Sequence, residues 1–221
     1  MKIKVIITGA TGMVGEGVLL ECLAHPQVEQ VLMVNRRPYP MQHPKLKECI
    51  VPDFFSLDAV AGQLTGYDGC LYCAGISSRG MKEAEYSRIT YDTPLYFAQR
   101  LAGLNPGMIF SHISGSHTDS SEKGKIMWAR VKGRAENALL KLPFKKVYNF
   151  RPGFMKPTPG QQNIKSLYRV ISSLSPLLRL LLPDQVSSMR EVGLAMINSV
   201  LIGYPKQILE VTDIKILAKA L

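Results

Sequence analysis

The chain begins with a stretch whose residue types could bind a phosphate. Residues 3–15 read Ile-Lys-Val-Ile-Ile-Thr-Gly-Ala-Thr-Gly-Met-Val-Gly, so a β-branched run ends in three glycines spaced three apart. The run at 5–7 predicts a strand buried on both faces, and the spacing of Val14, Val18 and Cys22 predicts a helix. A strand that enters a helix through glycines leaves the helix N-terminus, which attracts anions, at the turn.

Each glycine has a separate task in such a turn. Gly9 permits the tight turn, Gly12 lets the backbone approach a pyrophosphate, and Gly15 lets the helix pack closely on the strand. An ordinary glycine-rich loop is the alternative, but the order of strand, glycines and helix favours a dinucleotide site. The residues predicted to surround the phosphates are Gly9, Ala10, Thr11, Gly12, Met13, Val14 and Gly15.

The end of the second predicted strand, at 28–35, indicates which dinucleotide is bound. It lies about 20 residues beyond the last glycine, where an acidic residue would bind the ribose hydroxyls of NAD. The chain has Asn35, Arg36 and Arg37 there instead. Two guanidinium groups can make charge-assisted bonds to a 2′-phosphate, so the sequence favours NADP(H) over NAD(H). The alternative is that both arginines are solvated at a loop edge.

Strands and helices alternate along the next hundred residues. Further strands are predicted at 48–52, 67–74, 108–114 and 146–150, with helices at 56–64, 78–104 and 125–141. This order indicates an α/β fold, a doubly wound parallel sheet that binds ligands at the carboxyl ends of its strands. Polar or glycine-bearing residues follow those ends. The predicted cofactor contacts among them are Asp53 and Phe54 at the adenine, Cys73, Ala74 and Gly75, and Arg151, Pro152 and Gly153.

The C-terminal part has a different character. Residues 164–182 are helical in pattern and rich in leucine, and we expect residues 155–205 to form a substrate-side helical cap on a single domain at 1–221. A further helix at 189–201 is predicted to be capped by Ser187 or Ser188. A last strand is expected at 207–212, and a terminal helix is expected to begin at Asp213.

Composition narrows the class of protein. The 221 residues are 46% hydrophobic with net charge +10. The basic residues are scattered, so nucleic-acid binding is not expected, and no run is apolar enough to span a membrane. Four cysteines fit a reducing compartment, and a cytoplasmic protein is predicted. Cys70 and Cys73 spell C-x-x-C within a predicted strand, where side chains three apart point to opposite faces, so neither a metal site nor a redox pair is expected.

Taken together, the motifs resemble those of the extended and atypical short-chain dehydrogenase/reductases. The resemblance covers nearly the whole chain and looks closest to the branch of the small Tat-interacting, tumour-suppressor-like oxidoreductases. It rests on the glycine turn at 8–15, Cys73-Ala74-Gly75, the region of Ser114, Lys132 and Arg151-Pro152-Gly153. The resemblance implies that Lys132 binds the nicotinamide ribose and that Ser114 or Ser116 hydrogen-bonds the oxygen of a small-molecule substrate.

One position departs from the family pattern. The resemblance implies a proton-transferring tyrosine four residues before the lysine, but Trp128 stands there. An indole N–H only donates and does not titrate in the working range. Substitutes for the proton donor would be His112, His117, a water relay from Lys132, or a tyrosine such as Tyr86 or Tyr91. Two functions stay open: an NADP(H)-dependent oxidoreductase with an altered proton donor, or an inactive NADP(H)-binding regulatory or scaffold protein. A homodimer is also left open.

Overall fold

A parallel β-sheet forms the centre of the protein. A computed structural model describes residues 1–164 and 181–221. Seven parallel strands lie in the spatial order β3-β2-β1-β4-β5-β6-β9. They are β1 Ile3–Thr8, β2 Val28–Asn35, β3 Leu46–Ile50, β4 Gly69–Tyr72, β5 Ile109–Ile113, β6 Lys146–Phe150 and β9 Ile208–Leu209. The order reverses between β1 and β4, which is the arrangement of a doubly wound sheet and confirms the predicted fold class.

Helices cover both faces of the sheet. The helices are α1 Met13–Ala24, α2 Glu83–Ser87, α3 Thr93–Leu104, α4 Met127–Leu139, α5 Met189–Leu201 and α6 Val211–Ala218, with a 3₁₀ helix at Asp58–Leu64. One core contains buried side chains of α1, α5 and α6, and the other contains those of the 3₁₀ helix, α3 and α4. Central strands such as β1 are therefore buried on both faces, which explains their continuous β-branched runs.

Most predicted elements are present, and several boundaries differ. The strands at 28–35 and 146–150 and the helix at 189–201 have the predicted bounds. The sequence predicts a long helix at 78–104, but the predicted start is too early. The helical region begins at Glu83 and contains a π-helical turn, Arg88–Asp92. The terminal helix begins at Val211, before the predicted Asp213, because the Asp213 and Glu210 side chains cap each other's backbone N–H groups.

Ser188 is the N-cap of α5. Its side chain accepts a hydrogen bond from the backbone of Glu191, and the Glu191 carboxylate accepts one from the backbone of Ser188, which completes a capping box. Ser188 also ends β8, Val186–Ser188, which pairs in parallel with β7, Phe154–Lys156. This small second sheet joins the region after β6 to the start of α5.

The predicted cap at 155–205 divides into parts with different surroundings. Helix α5 packs against α1 and contributes six buried hydrophobic side chains to the core, so it forms a layer of the main fold. The leucine-rich stretch at 164–182 lies outside the described residues except at its ends. In the described ranges, no helix is long and apolar enough to cross a membrane.

The two cysteines of the C-x-x-C sequence are separated by the sheet. Cys70 lies in the core beneath α3, whereas Cys73 lies in the core beneath α1. The prediction that their side chains point to opposite faces is confirmed. Both thiols are buried, and burial raises the pKa of each.

Close packing at Gly133 holds the loop after β5 against α4. A Cβ atom at Gly133 would overlap the carbonyl oxygen of Asp119. The loop is joined to the same helix by a hydrogen bond of 3.1 Å from the backbone N–H of Asp119 to the carbonyl oxygen of Ala129. Gly133 therefore sets the distance between this loop and the helix that carries Lys132.

The Gly133→Ala substitution should destabilise the protein by about 1–3 kcal/mol, because overpacking forces the backbone apart. The matched control is Gly103→Ala in α3, where an added Cβ meets nothing within 4 Å. That control should be neutral or gain up to about 1 kcal/mol from helix propensity. Urea denaturation measures both variants. Equal stabilities would contradict the packing argument.

Candidate functional site

A cleft of about 430 Å³ opens at the carboxyl ends of the central strands. Its walls come from the segments that follow β1, β2, β3 and β4, and from the turn between α2 and α3. The lining residues are Gly9, Thr11, Gly12, Val34, Asn35, Arg36, Pro52, Asp53, Phe54, Phe55, Tyr72, Cys73, Ala74, Gly75, Ile76, Arg88, Ile89 and Thr93. Ten of the predicted cofactor residues are thus brought to one cavity at the point where the strand order reverses.

The glycine turn forms one end of the cleft, and its shape requires glycine. Gly9 has φ +71°, and a Cβ there would lie 2.6 Å from the backbone nitrogen of Ala74. A Cβ at Gly15 would overlap the carbonyl oxygen of Gly9. Gly12 is the N-cap of α1 and provides no side-chain cap. The first turn of α1 therefore presents free N–H groups to the cleft, where a phosphate fits.

The end of β2 supplies a second feature that fits a nucleotide. Asn35 is buried in the cleft wall, and its Nδ2 atom has no hydrogen-bond partner in the described part of the chain. A buried donor without a partner is costly, which points to an acceptor on a ligand. Arg36 and Arg37 are both exposed, but only Arg36 lines the cleft.

The wall opposite the glycine turn was not predicted from the sequence. Arg88, Ile89 and Thr93 face the cleft from the π-helical turn and the start of α3. The Arg88 guanidinium lies 5.7 Å from the centroid of the Phe55 ring. Sequence periodicity gives no sign of a single π-helical turn, which inserts one residue into a helix and redirects the side chains there.

The residues that the family resemblance implies for the reaction lie together at the end of β5, the strand next to β4. A Cβ at Gly115 would lie 3.7 Å from Cδ and Cε of Lys132 and 3.9 Å from Cζ3 of Trp128. Lys132 and Trp128 thus share one face of α4, as their four-residue spacing predicts. His112, whose register partner is Tyr72 on β4, lies on the same strand end.

The hydroxyl groups of this loop are in different hydrogen-bonding states. Ser114 Oγ lies 3.1 Å from Thr118 Oγ1, and Thr118 donates to the carbonyl oxygen of Gly115 at 2.7 Å. Because Thr118 has only one proton, Ser114 must donate to it, and the lone pairs of Ser114 remain free. Ser116 Oγ is buried without a partner in the described residues.

The Lys132 amine has a shifted acidity. Burial lowers its pKa from the ordinary value to about 8, and the negative charge of Glu136 opposes that shift. Both Glu136 oxygens already accept from Arg151, at 3.0 Å from Nε and 2.5 Å from Nη2. Glu136 acts on Lys132 through its charge, without a hydrogen bond between the two side chains. No described residue accepts a hydrogen bond from Lys132 Nζ.

The other proton-transfer candidates are occupied or face away. Burial, together with the charge of Lys132, lowers the pKa of His112 to about 3, and its Nδ1 lies 3.0 Å from Asn149 Oδ1. His117 is exposed with φ 62°. Tyr86 is buried in the protein, and the ring of Tyr91 lies 4.2 Å beneath the Arg134 guanidinium.

Several predicted cofactor residues lie outside the cleft lining. Arg151 binds Glu136 on α4, Glu210 before α6, and Ser120 in the loop after β5, so its guanidinium joins elements of the fold. The others are Ala10, Met13, Val14, Gly15, Arg37, Lys132, Pro152 and Gly153. Ala10, Met13 and Gly15 are buried within or beneath the glycine turn.

A buried carboxylate ties two segments to the glycine turn, which the sequence did not reveal. Glu16, in the first turn of α1, is 1% exposed. One oxygen accepts from the Gln162 N–H at 2.9 Å and from the Tyr39 hydroxyl at 3.2 Å, and the other accepts from the Asn163 N–H at 2.7 Å. Glu16 therefore holds both the loop beyond Arg36 and the segment after β7.

Fold and glycine turn together define the class: this is a Rossmann protein with the fold of the short-chain dehydrogenase/reductases. Two solved structures show the same fold. MoeE5 in complex with UDP-glucose and NAD has a TM-score of 0.66 at 17% identity, covering 96% of this chain and 79% of that one. Uronate dehydrogenase from Agrobacterium tumefaciens has a TM-score of 0.64 at 19% identity, covering 94% and 76%.

A relative by sequence agrees with the branch that the motifs indicated. Protein HTATIP2 of Rattus norvegicus is 28% identical over 154 residues, which make up 69% of this chain and 62% of the relative. The match thus spans less than two thirds of that protein. The resemblance to atypical short-chain dehydrogenase/reductase-like Rossmann proteins is confirmed. No protein-family model matches the chain.

The Glu16→Gln substitution should reduce stability by about 1–3 kcal/mol. A glutamine side chain has one oxygen, so it leaves either Gln162 N–H or Asn163 N–H without its acceptor. Urea denaturation measures the loss, with Glu85→Gln at an exposed position of α2 as the matched control. Unchanged stability in both variants would contradict the role of Glu16 as a tie between segments.

The Lys132→Met substitution should stabilise the ligand-free protein at pH 7 by about 2–3 kcal/mol. The folded-state pKa of Lys132 is about 8, below the ordinary lysine value in the unfolded chain. Between these values the unfolded state binds more protons, so wild-type stability rises with pH and the advantage of the variant shrinks. Urea midpoints at pH 7 and pH 10 test this. The exposed Lys125→Met control should show no such trend.

Proposed function

We propose that this protein is an NADP(H)-dependent oxidoreductase of the atypical short-chain dehydrogenase/reductase type. One observation carries the proposal. The sheet edge that forms the nucleotide cleft continues, on the adjacent strand β5, into the group formed by Ser114, Trp128 and Lys132. In the described residues Lys132 Nζ has no hydrogen-bond partner, and together with the free lone pairs of Ser114 it offers groups that could hold a substrate oxygen beside the cofactor.

The residues of the cleft fit a dinucleotide. The free N–H groups at the start of α1 would bind the pyrophosphate, and Asn35 Nδ2 would donate to the adenosine half. Arg36 would pair with a 2′-phosphate, which favours NADP(H) over NAD(H). Asp53 and Phe54 would border the adenine, and Cys73, Ala74 and Gly75 would line the path toward the nicotinamide. When bound, the nicotinamide supplies or accepts a hydride.

The chain's own residues would then orient a small-molecule carbonyl or alcohol. Ser114 has free lone pairs and can accept from a substrate hydroxyl, or can turn from Thr118 and donate to a carbonyl oxygen. Lys132 would bond the ribose hydroxyls and place a positive charge beside the substrate oxygen. Lys132 would thus contribute to cofactor binding although it lies outside the cleft lining.

An inactive NADP(H)-binding regulatory or scaffold protein is the second candidate, and Trp128 favours it. The indole occupies the position of the tyrosine that the family resemblance implies, and it cannot transfer a proton at working pH. In this case the nucleotide would act through its effect on conformation or on assembly. A homodimer and the cytoplasmic location remain predictions from the sequence.

Titration with NADPH and NADH, followed by tryptophan emission, tests the cofactor site. Trp128 is the only tryptophan. Because Trp128 lies beside Lys132, a bound nicotinamide should quench its emission. Since Arg36 would pair with the 2′-phosphate, NADPH should do so at a lower concentration than NADH. Arg36→Ala should weaken NADPH binding about 10- to 100-fold, since a charge-assisted bond is lost, and should leave NADH binding nearly unchanged.

Arg37→Ala is the matched control, because it removes the same charge from a position outside the cleft lining. It should weaken NADPH binding less than threefold. Equal effects of the two substitutions would contradict a specific role for Arg36. Binding of neither nucleotide would contradict both candidate functions.

A further inference from the structure

We propose that Lys132 itself exchanges the proton with the substrate oxygen, in the role that the family pattern assigns to a tyrosine. This inference rests on the proposed oxidoreductase function and names its proton donor. It follows from where the structure places each group that could carry a proton at the end of β5. Trp128, the two histidines, and Tyr86 and Tyr91 are set aside by their chemistry, their hydrogen bonds or their surroundings. Tyr72 also lines the cleft, but its side chain is 2% exposed and burial raises the pKa of its phenol further above neutrality.

Trp128 is excluded by chemistry, and the histidines are excluded by their surroundings. Asn149 Oδ1 can only accept, so His112 Nδ1 carries its proton toward Asn149, at 3.0 Å. The His112 ring is buried against the ring of Tyr72, with 5.9 Å between centroids. It therefore stays neutral and fixed. His117 is exposed on the loop rather than enclosed at the strand end.

Tyr86 and Tyr91 are held by other parts of the protein. Tyr86 is 1% exposed on the short helix before the π-helical turn. Tyr91 lies under the Arg134 guanidinium, which also donates to Ser87 at 3.1 Å. The three atoms nearest to a Cβ at Gly115 belong to Lys132 and Trp128, not to either tyrosine.

Lys132 has the position that the task requires. Its Cδ and Cε atoms lie 3.7 Å from where a Cβ of Gly115 would be, so its side chain packs against the residue that follows Ser114. Nothing in the described ranges accepts a hydrogen bond from Nζ, and the carboxylate of Glu136, one turn along the helix, is bound by Arg151 instead. An unbonded ammonium can turn its proton toward a ligand.

The charged groups around Lys132 make the transfer feasible near neutral pH. On α4, Glu136 stabilises the ammonium form, and Arg151 from the end of β6 offsets part of that charge. From β5, His112 contributes no charge because it is neutral. Burial remains the dominant influence and brings the pKa of Lys132 to about 8, which suits an acid or base that works at this pH.

The proton balance is simple. In carbonyl reduction, the substrate oxygen becomes an alkoxide as the carbon receives a hydride. One N–H bond of the ammonium breaks, its electron pair stays on Nζ, and an O–H bond forms on the substrate. Lys132 then recovers a proton from solvent. Alcohol oxidation runs in reverse, with the neutral amine as the base.

The first measurement needs no cofactor. In protein labelled with ¹³C at lysine Cε, one resonance should titrate with a midpoint near pH 8 and should be missing from the Lys132→Arg variant. A spectrum in which every lysine titrates above pH 10 would overturn the inference, because the amine would then be an ordinary solvated one.

The second measurement separates proton transfer from charge. Lys132→Arg keeps a positive charge that can bond ribose hydroxyls but does not release a proton near neutrality. With NADPH and 9,10-phenanthrenequinone as the probe, this variant should retain NADPH quenching of Trp128. Its turnover should fall at least about 100-fold, and the decline of kcat above the pKa of Lys132 should disappear.

Two further variants complete the design. Lys125→Arg, at an exposed position before α4, is the matched control for the Lys132 substitution and should retain turnover within about threefold. Trp128→Tyr combined with Lys132→Arg should recover part of the turnover, since a phenol can replace the amine as the acid.

The outcomes separate the role of Lys132 from the proposed function. If Lys132→Arg keeps both its turnover and the pH dependence of the wild type, Lys132 is not the proton donor, although the protein is still an oxidoreductase. If the wild type binds NADPH but never turns over the probe, while Trp128→Tyr does, the oxidoreductase proposal and the role of Lys132 both fail. The inactive NADP(H)-binding protein is then favoured.

Discussion

The fold around the cleft depends on the close approach of two backbone segments at the glycine turn. The carbonyl oxygen of Gly9 occupies the space where a Cβ at Gly15 would lie, and Gly9 itself touches the backbone at Ala74 after β4. Strands β1 and β4 can therefore run side by side while α1 starts directly above them. Any side chain at Gly9 or Gly15 would separate these segments and close the place where N–H groups face the cleft. The nucleotide site is thus a consequence of how tightly the backbone packs.

Charge is distributed around the site in two different ways. Arg151 and Glu136 form a buried, doubly hydrogen-bonded pair that links β6 to α4, and Glu210 extends it toward α6. A buried pair of this kind compensates its own charges and holds elements in one arrangement. Lys132, one turn away from Glu136, donates no hydrogen bond to that pair. The same helix therefore carries one charge that is paired within the described residues and one that is not.

Trp128 changes what the neighbouring groups must do. In the pattern that the chain resembles, tyrosine moves the proton and lysine supports it. Here the aromatic side chain lies in the corresponding position beside Gly115, but its N–H does not titrate at working pH. Only two chemical consequences follow: the reaction is lost, or another group moves the proton. The half-buried amine of Lys132, without a hydrogen-bond partner in the described residues, favours the second, while the intact cleft is compatible with both.

The sequence by itself determined the fold class, the glycine turn and most elements, because these depend on local patterns: β-branched runs, glycines at fixed spacing, and caps such as Ser188. It also placed Lys132 and Trp128 on one helix face, which follows from helical periodicity alone. Contacts between distant residues were decided by the tertiary structure. Arg151, part of a motif associated with cofactor binding, proved to pair with Glu136, and the π-helical turn that brings Arg88 to the cleft leaves no periodic signal. Whether a polar group is satisfied depends on partners far along the chain, so the free amine of Lys132 and the bound carboxylate of Glu16 became visible only in three dimensions.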